Sequence, residues 1–171
     1  DLETDFTAEE IVMTGRTPYQ GRFLGTSVND KEAVSRAFSL TKANRLKDKK
    51  FAILSGGEKQ KIVIARAVAQ TTPWMLLDEP IASLDIKNQI EIMQTLSELN
   101  RQEGVSVLMV LHDINLAGIY CDRLIMLKDG QVIAAGNTNE CLCEENLKKL
   151  YDISFFHMDT KKGQRYYYAE I

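Results

Sequence analysis

From residue 51 onwards, short apolar runs alternate with helical patterns along the chain. The apolar runs cover residues 74–77 and 105–111, and the helical patterns cover residues 58–70, 86–102 and 114–121. Strands without polar alternation that are separated by helices are typical of a parallel sheet covered on both faces. The pattern therefore predicts an α/β fold, with a mostly parallel sheet flanked by helices.

The first 54 residues are more polar and are interrupted by glycine and proline. Thr7 with Glu10 three residues later is the pattern of a capping box, which predicts a short helix there. Residues 29–46 form an amphipathic pattern that predicts a second helix. We therefore expect residues 1–54 to form a helical subdomain and residues 55–171 to form the α/β core.

The last part of the chain predicts a hairpin, a helix and two terminal strands. Asp129-Gly130 is the expected two-residue turn, because this pair tolerates positive φ. The predicted strands of the hairpin are 124–127 and 131–134, the predicted helix is 138–150, and the predicted terminal strands are 153–158 and 166–170.

Composition excludes several classes of protein without indicating a function. The chain has 171 residues, of which 44% are hydrophobic and 26% charged, as in ordinary globular domains. The formal net charge of −3 argues against a basic surface for nucleic acid. Three cysteines and two histidines do not complete a zinc site of the usual spacing. No apolar run reaches the ~18–20 residues that a membrane span needs.

The segment Ser55-Gly56-Gly57-Glu58 opens the first of these helical patterns. Ser55 with Glu58 is a capping box, so a well-capped helix is one interpretation. Two glycines in a first helical turn, however, cost about 1 kcal/mol each relative to alanine. Glycine lets a ligand approach the backbone amides, and a helix N-terminus attracts anions, so phosphate binding is the other interpretation.

Two adjacent carboxylates, Asp78 and Glu79, follow the first apolar run. In a doubly wound sheet, ligands bind beyond the carboxyl ends of the strands. Asp78 is therefore a candidate for holding a hydrated Mg²⁺, and Glu79 for polarising a water molecule. Pro80 disfavours the helical region for Glu79 and so restricts its direction. A solvated strand end is the alternative interpretation.

His112 and Asp85 are two further candidates. His112 ends the second apolar run, and it shares a rim with Asp78 and Glu79 if the two runs are neighbouring parallel strands. A single histidine in such a place is more often a satisfied polar residue than a catalytic one. Asp85 directly precedes a helical pattern, where an ordinary N-cap is the simplest interpretation.

Taken together, these segments resemble the motifs of the ATP-binding-cassette ATPases. Residues 54–61, Leu-Ser-Gly-Gly-Glu-Lys-Gln-Lys, are similar to the signature motif, and residues 75–79 to the Walker B strand with its catalytic glutamate. Residues 83–85 resemble the D-loop, and residues 111–113 the loop of the switch histidine. All four segments occur in the order and at the spacing typical of the family.

Two other segments resemble one group within that family. Residues 7–18 are similar to the start of the helical subdomain in importer ATPases for iron-siderophores, haem and cobalamin. The tail at residues 144–151 also resembles that group. The resemblance implies a P-loop NTPase fold, in which residues 55–171 belong to the RecA-like ATPase core. Residues 1–54 then belong to the helical subdomain that faces a membrane partner.

The resemblance also implies a role for each candidate residue. It implies MgATP as substrate, held between two cassettes that face each other head to tail. The residues implied to bind the ATP of the opposite cassette are Ser55, Gly56, Gly57 and Glu58. The implied catalytic residues are Glu79, which orients or deprotonates the attacking water, and His112, which contacts the γ-phosphate. Asp78 is implied to hold Mg²⁺ through water, and Asp85 to link the two sites.

The family's P-loop, G-x-x-x-x-G-K-[ST], does not occur in the sequence. The segment at residues 25–31 lacks the second glycine and follows no predicted strand. We therefore expect the chain to be the C-terminal part of an ATPase. Without the amides and lysine of a P-loop, we expect the chain alone to bind ATP weakly or not at all, and not to hydrolyse it.

The implied process is uptake of an iron complex, siderophore, haem or cobalamin-like substrate. The implied partners are membrane permease subunits, a second ATPase subunit and, indirectly, a periplasmic or surface substrate-binding protein, with no nucleic acid. The implied location is the cytoplasmic face of the membrane. Two alternatives stay open at this point: a non-transport cassette ATPase of DNA repair or translation, and an inactive truncated cassette.

Overall fold

The computed structural model describes residues 5–19, 25–161 and 163–170. It divides into two compact units, Asp1–Val110 and Leu111–Ile171. In the first unit the helices are α1 (Ala8–Met13), α2 (Val28–Leu40), α3 (Gly56–Ala69) and α4 (Ile86–Glu103), the strands are β1 (Trp74–Leu77) and β2 (Ser106–Met109), and 3₁₀ turns lie at Thr14–Tyr19, Asn44–Leu46 and Phe51–Ile53.

Capping boxes begin three helices of the first unit. Thr7, Ser27 and Ser55 each accept a hydrogen bond from the third residue of the helix, whose carboxylate bonds back to the capping residue. The boxes expected at Thr7 and Ser55 are thus confirmed. The predicted helix at 29–46 instead ends at Leu40, because Lys42 adopts φ 55°, which no right-handed helix accommodates.

The core of the first unit lies between α1, α2 and α3. Val12, Phe38 and Ile62, one from each helix, are fully buried there. This hydrophobic core contains residues from both sides of position 54. It therefore includes parts of the predicted helical subdomain and of the predicted α/β domain. The boundary between 1–54 and 55–171 stays a prediction.

A buried ion pair anchors the C-terminal end of α3. Arg16 Nε donates to Asp30 Oδ1 at 2.9 Å, and Arg16 Nη1 donates to the carbonyl oxygen of Ala69 at 2.8 Å and to the hydroxyl of Thr71 at 3.1 Å. Burying a charge is costly unless it is paired, so these bonds fix where Arg16 and the start of α2 lie against the end of α3.

Strands β1 and β2 pair in parallel, as the apolar runs predict. Leu76 lies opposite Leu108, and Leu77 opposite Met109. Among the described residues, one face of this pair of strands is not covered. Met75 is buried, but Trp74, Leu76 and Leu108 on the other face are 58%, 74% and 51% exposed. Apolar runs alone do not reveal whether the chain contains the elements that cover each face.

The second unit contains α5 (Ile114–Tyr120), β3 (Arg123–Lys128), β4 (Gln131–Asn137), α6 (Thr138–Cys141), α7 (Glu144–Tyr151), β5 (Phe155–Asp159) and β6 (Arg165–Ala169). The predicted hairpin is confirmed: β3 and β4 are antiparallel around Asp129 and Gly130, whose φ angles are 50° and 75°. Strands β5 and β6 form a second antiparallel pair.

The prediction of one helix at 138–150 is wrong. The chain leaves the helical conformation at Leu142, which has ψ 86°, and remains non-helical at Cys143, which has φ −136° and ψ 159°; α7 begins after it. Leu142 and Leu147 are buried with Phe155 and Tyr167 in the core of this unit, so packing decides the break. Within the described ranges, no helix combines the length and the apolar character that crossing a membrane requires.

Candidate functional site

The N-terminus of α3 presents backbone donors to solvent. Ser55 and Gly56 are exposed, whereas Gly57 is buried. Ser55 Oγ accepts from the Glu58 amide at 3.4 Å, and Glu58 Oε2 accepts from the Ser55 amide at 3.1 Å. The first amides of a 14-residue helix, with no side chain at two successive positions, can receive an anion such as a phosphate oxygen.

Positive side chains surround the carboxylate of Glu58. Arg45 Nη2 and Lys49 Nζ lie 3.8 and 3.9 Å from Glu58 Oε1. The hydrogen bond from the Ser55 amide, helped by the Ser55 hydroxyl and these cations, lowers the pKa of Glu58 below its ordinary value. Glu58 is therefore ionised at neutral pH, and its charge stabilises the first turn of α3.

Asp85 lies beside this helix start and caps the next helix. Its Oδ1 accepts from the Asn88 amide at 2.9 Å, and its Oδ2 accepts from Asn88 Nδ2 at 2.7 Å, so the N-cap interpretation is confirmed. These two bonds lower the pKa of Asp85. Leu84 approaches α3: an ideal Cβ placed on Gly56 would lie 3.7 Å from Leu84 Cδ2. The structure thus brings the residues at 55–58 and Asp85 together within the first unit.

Asp78 and Glu79 lie where the sequence predicts, directly after β1. Both are exposed. Glu79 adopts φ 44°, a left-handed conformation that is rare for a residue with a side chain. Its carbonyl oxygen accepts from the Ala82 amide at 3.1 Å, which closes a turn. Strained backbone of this kind costs about 1–3 kcal/mol and is concentrated at functional sites.

His112 belongs to the second compact unit and is exposed. The following residue, Asp113, caps α5 by accepting from the amides of Asn115 and Leu116 at 2.8 and 2.9 Å. Within the first unit, the Val110 amide donates to the Leu77 carbonyl at 3.1 Å, so the two strands end side by side. That His112 shares a rim with Asp78 and Glu79 stays a prediction.

Comparison with known proteins indicates the family that this chain resembles. The family model described as ABC transporter matches residues 2–82. The ferric enterobactin transport ATP-binding protein of Escherichia coli (strain K12) is 40% identical over 155 residues, which are 91% of this chain and 57% of that protein. Over most of its length, the chain is therefore similar to the ATP-binding-cassette ATPases. It spans a little over half the length of this curated relative.

Solved cassette ATPases share the fold. A transporter described as of the metal-chelate type, in an inward-facing conformation, superposes with a TM-score of 0.91 at 26% identity, over 97% of this chain and 68% of that chain. A bacterial ABC transporter cassette solved as a dimer gives a TM-score of 0.65 at 33% identity, over 79% of this chain and 58% of that chain. The predicted P-loop NTPase fold is therefore confirmed.

Sequence reasoning on this cassette missed Asn88. The spacing from Asp85 to Asn88 is that of an N-cap and its third helical residue, so the backbone bond was predictable. The contact between the Asn88 side chain and α3 joins segments 31 positions apart in the sequence, from Gly57 to Asn88, and no local pattern reveals it.

Proposed function

We propose that this chain provides the signature side of an ATP site in an importer ATPase for an iron-siderophore type of substrate. The ferric enterobactin relative and the metal-chelate type transporter support that substrate class. The observation that carries the proposal is the N-terminus of α3, where exposed Ser55 and Gly56, side-chain-free Gly57 and the cap of Asp85 meet.

The positive potential and the solvent exposure at the N-terminus of α3 favour a terminal phosphate over an uncharged ligand. The helix N-terminus carries about half a positive charge, and Arg45 and Lys49 add positive potential beside it. In our proposal an incoming phosphate oxygen binds the amides of Gly56 and Gly57. The Ser55 hydroxyl, which donates to Glu58 Oε2 at 3.1 Å in this structure, turns from that carboxylate to the phosphate. The two amides are fixed donors, which need no reorganisation when negative charge develops during phosphoryl transfer.

Asp78 fits a Mg²⁺ ion held through water. It is an exposed carboxylate at the carboxyl end of β1, and hard oxygen ligands are those that Mg²⁺ prefers. The described residues contain no group of three or more His, Cys, Asp or Glu side chains able to hold a metal. Among them, Asp78 is the ligand that we propose. When bound, the ion neutralises charge on the phosphates.

Glu79 and His112 complete the chemistry that we propose. Glu79 orients the attacking water and accepts its proton, a role typically worth ~10²–10⁴ in rate. The turn closed at its carbonyl and its φ angle of 44° fix the backbone from which this side chain extends. His112 donates a hydrogen bond to the γ-phosphate. Asp85 connects the two composite sites of a dimer.

The 171 residues do not include a P-loop, so a complete site needs that loop from other residues. We use the term complete cassette for this chain together with a P-loop-bearing segment. The dimeric bacterial cassette supports an arrangement of two such cassettes. In our proposal the pair works with membrane permease subunits at the cytoplasmic face, and a substrate-binding protein delivers the cargo.

The substitution Ser55→Arg in the complete cassette tests this proposal. We expect MgATP turnover to fall about 10²-fold or more, because the bulky cation blocks the phosphate position and removes a donor. ATP binding to the P-loop of the same cassette is expected to stay within about twofold, since it does not use α3. Ser39→Arg, at an exposed position of α2, is the matched control. Normal turnover of the Ser55→Arg variant contradicts the proposal.

A further inference from the structure

The side chain of Asn88 lies between two segments that the proposed ATP site uses. Its Nδ2 donates to Asp85 Oδ2 at 2.7 Å, and its amide donates to Asp85 Oδ1 at 2.9 Å. The same side chain faces Gly57 on the neighbouring helix α3. One asparagine thus contacts both the carboxylate before α4 and the glycine inside the first turn of α3.

The contact with Gly57 is close enough that any side chain there would displace the amide of Asn88. An ideal Cβ on Gly57 would lie 2.3 Å from Asn88 Oδ1 and 2.4 Å from Asn88 Cγ, distances that real Cβ atoms do not adopt. Gly57 is buried beneath this side chain. The requirement for glycine at position 57 therefore comes in part from Asn88, as well as from any ligand at the helix start.

Asparagine suits this position because of two properties. Its planar amide is thin enough to pack on a glycine, and its NH₂ group donates to the Asp85 carboxylate. Aspartate at position 88 would repel Asp85, and leucine, of similar size, has no donor. Alanine would leave the space above Gly57 empty and Asp85 with one hydrogen bond fewer.

We propose that Asn88 is a positioning residue that fixes Asp85 relative to the first turn of α3, so that both present one surface to the nucleotide of an opposing cassette. The role of Asn88 in catalysis rests on the proposed function. The structural part of the inference, the contacts of Asn88 with Asp85 and Gly57, concerns the first unit alone and does not depend on nucleotide.

The structural part is tested on the 171-residue chain with Asn88→Leu. We expect the pKa of Asp85 to rise towards its ordinary value, because one of its two hydrogen bonds from Asn88 is lost while the bond from the backbone remains. We also expect the backbone amide resonance of Gly57 to shift in ¹⁵N–¹H spectra. Side-chain carboxyl resonances followed against pH give the pKa of Asp85.

Asn100→Leu is the matched control, since Asn100 is also on α4 and its Nδ2 donates to the carbonyl oxygen of Val105 at 3.0 Å. It removes one asparagine hydrogen bond without touching Asp85 or Gly57. An unchanged Asp85 pKa in Asn88→Leu, or a Gly57 amide that moves no more than in the control, overturns the inference.

The catalytic part is tested on the complete cassette. We expect Asn88→Leu to lower kcat about tenfold while KM for ATP changes less than about twofold, because the residue acts on the opposing site and not on the P-loop. Turnover equal to that of the Asn100→Leu control overturns the positioning role. Failure of the proposed function is distinguished by Ser55→Arg: if that variant keeps its turnover, α3 binds no ATP, whatever Asn88 does.

Discussion

Arg16 and Asp30 form the buried ion pair that holds α2 against the end of α3. The Asp30 carboxylate accepts from Arg16 and from both the amide and the hydroxyl of Ser27. The hydroxyl of Ser27 and the guanidinium of Arg16 lower the pKa of Asp30 from 3.8 to about 2. Because α3 carries the signature-like residues at its other end, this pair helps to keep the candidate site in place.

The lowered pKa makes the stability of the first unit depend on pH. A depressed folded-state pKa stabilises the fold above the ordinary value of 3.8, and this contribution is lost as the pH falls towards about 2. We expect the free energy of unfolding to fall across that interval. The fluorescence of Trp74, the single tryptophan, reports unfolding of the first unit in urea titrations.

Asp30→Asn is expected to lower the free energy of unfolding at neutral pH, since it leaves Arg16 buried beside a neutral group. It is also expected to make the free energy of unfolding less dependent on pH between 3.8 and about 2. Asp48→Asn, at an exposed position of the same unit, is the matched control and should keep the wild-type dependence. An Asp30→Asn variant with the wild-type slope contradicts this account of the ion pair.

At the scale of elements, the pair of strands β1 and β2 shows an unusual surface. Trp74, Leu76 and Leu108 leave one face of a two-stranded parallel sheet apolar and exposed. All-parallel sheets occur almost only with both faces covered, because each exposed apolar side chain loses favourable burial. Contiguous exposed apolar patches mark association sites or aggregation liabilities.

We expect the 171-residue chain to self-associate through this face. Leu76→Lys combined with Leu108→Lys should weaken association at least about tenfold, since two charges from each copy would then be buried between the copies. Sedimentation velocity over a range of concentrations measures the effect. Val28→Lys, at a residue that is 71% exposed on α2, is the control. Unchanged association in the double variant means that another surface joins the copies.

Local signals in the sequence predicted most elements of this chain. Thr7, Ser55 and Asp85 mark helix starts because their side chains cap the very next turn, and Asp129-Gly130 marks a hairpin because few pairs tolerate positive φ. These features depend on residues within four positions of one another. They are therefore visible in a single sequence.

The errors have a common physical cause, which is that packing between distant segments decided the outcome. The break at Cys143 follows from burial of Leu142 and Leu147 in one core, and periodicity cannot show which residues meet there. The contact of Asn88 with Gly57 likewise joins separate helices. For the site, motif resemblance located the residues, but only coordinates showed that Asp85 and the start of α3 are adjacent.

For the whole molecule, we predict that two cassettes share each ATP site. In the symmetric dimer that we propose, Glu79 would act on the nucleotide of its own cassette and Ser55 on that of the opposite cassette. A variant that lacks either residue is inactive at both of its sites. At any one ATP site, Glu79 and Ser55 would therefore come from different copies of the chain. A measurement on a single copy does not test this arrangement.

Mixing two inactive variants of the complete cassette tests this claim most directly. When Glu79→Gln and Ser55→Arg cassettes associate, one site of the mixed dimer has both an intact Glu79 and an intact Ser55. With random pairing of equal amounts and independent sites, MgATP turnover should recover to about a quarter of the wild-type rate, from near zero for either variant alone. A mixture that stays as inactive as its components, although the mixed dimer forms, would contradict the shared site.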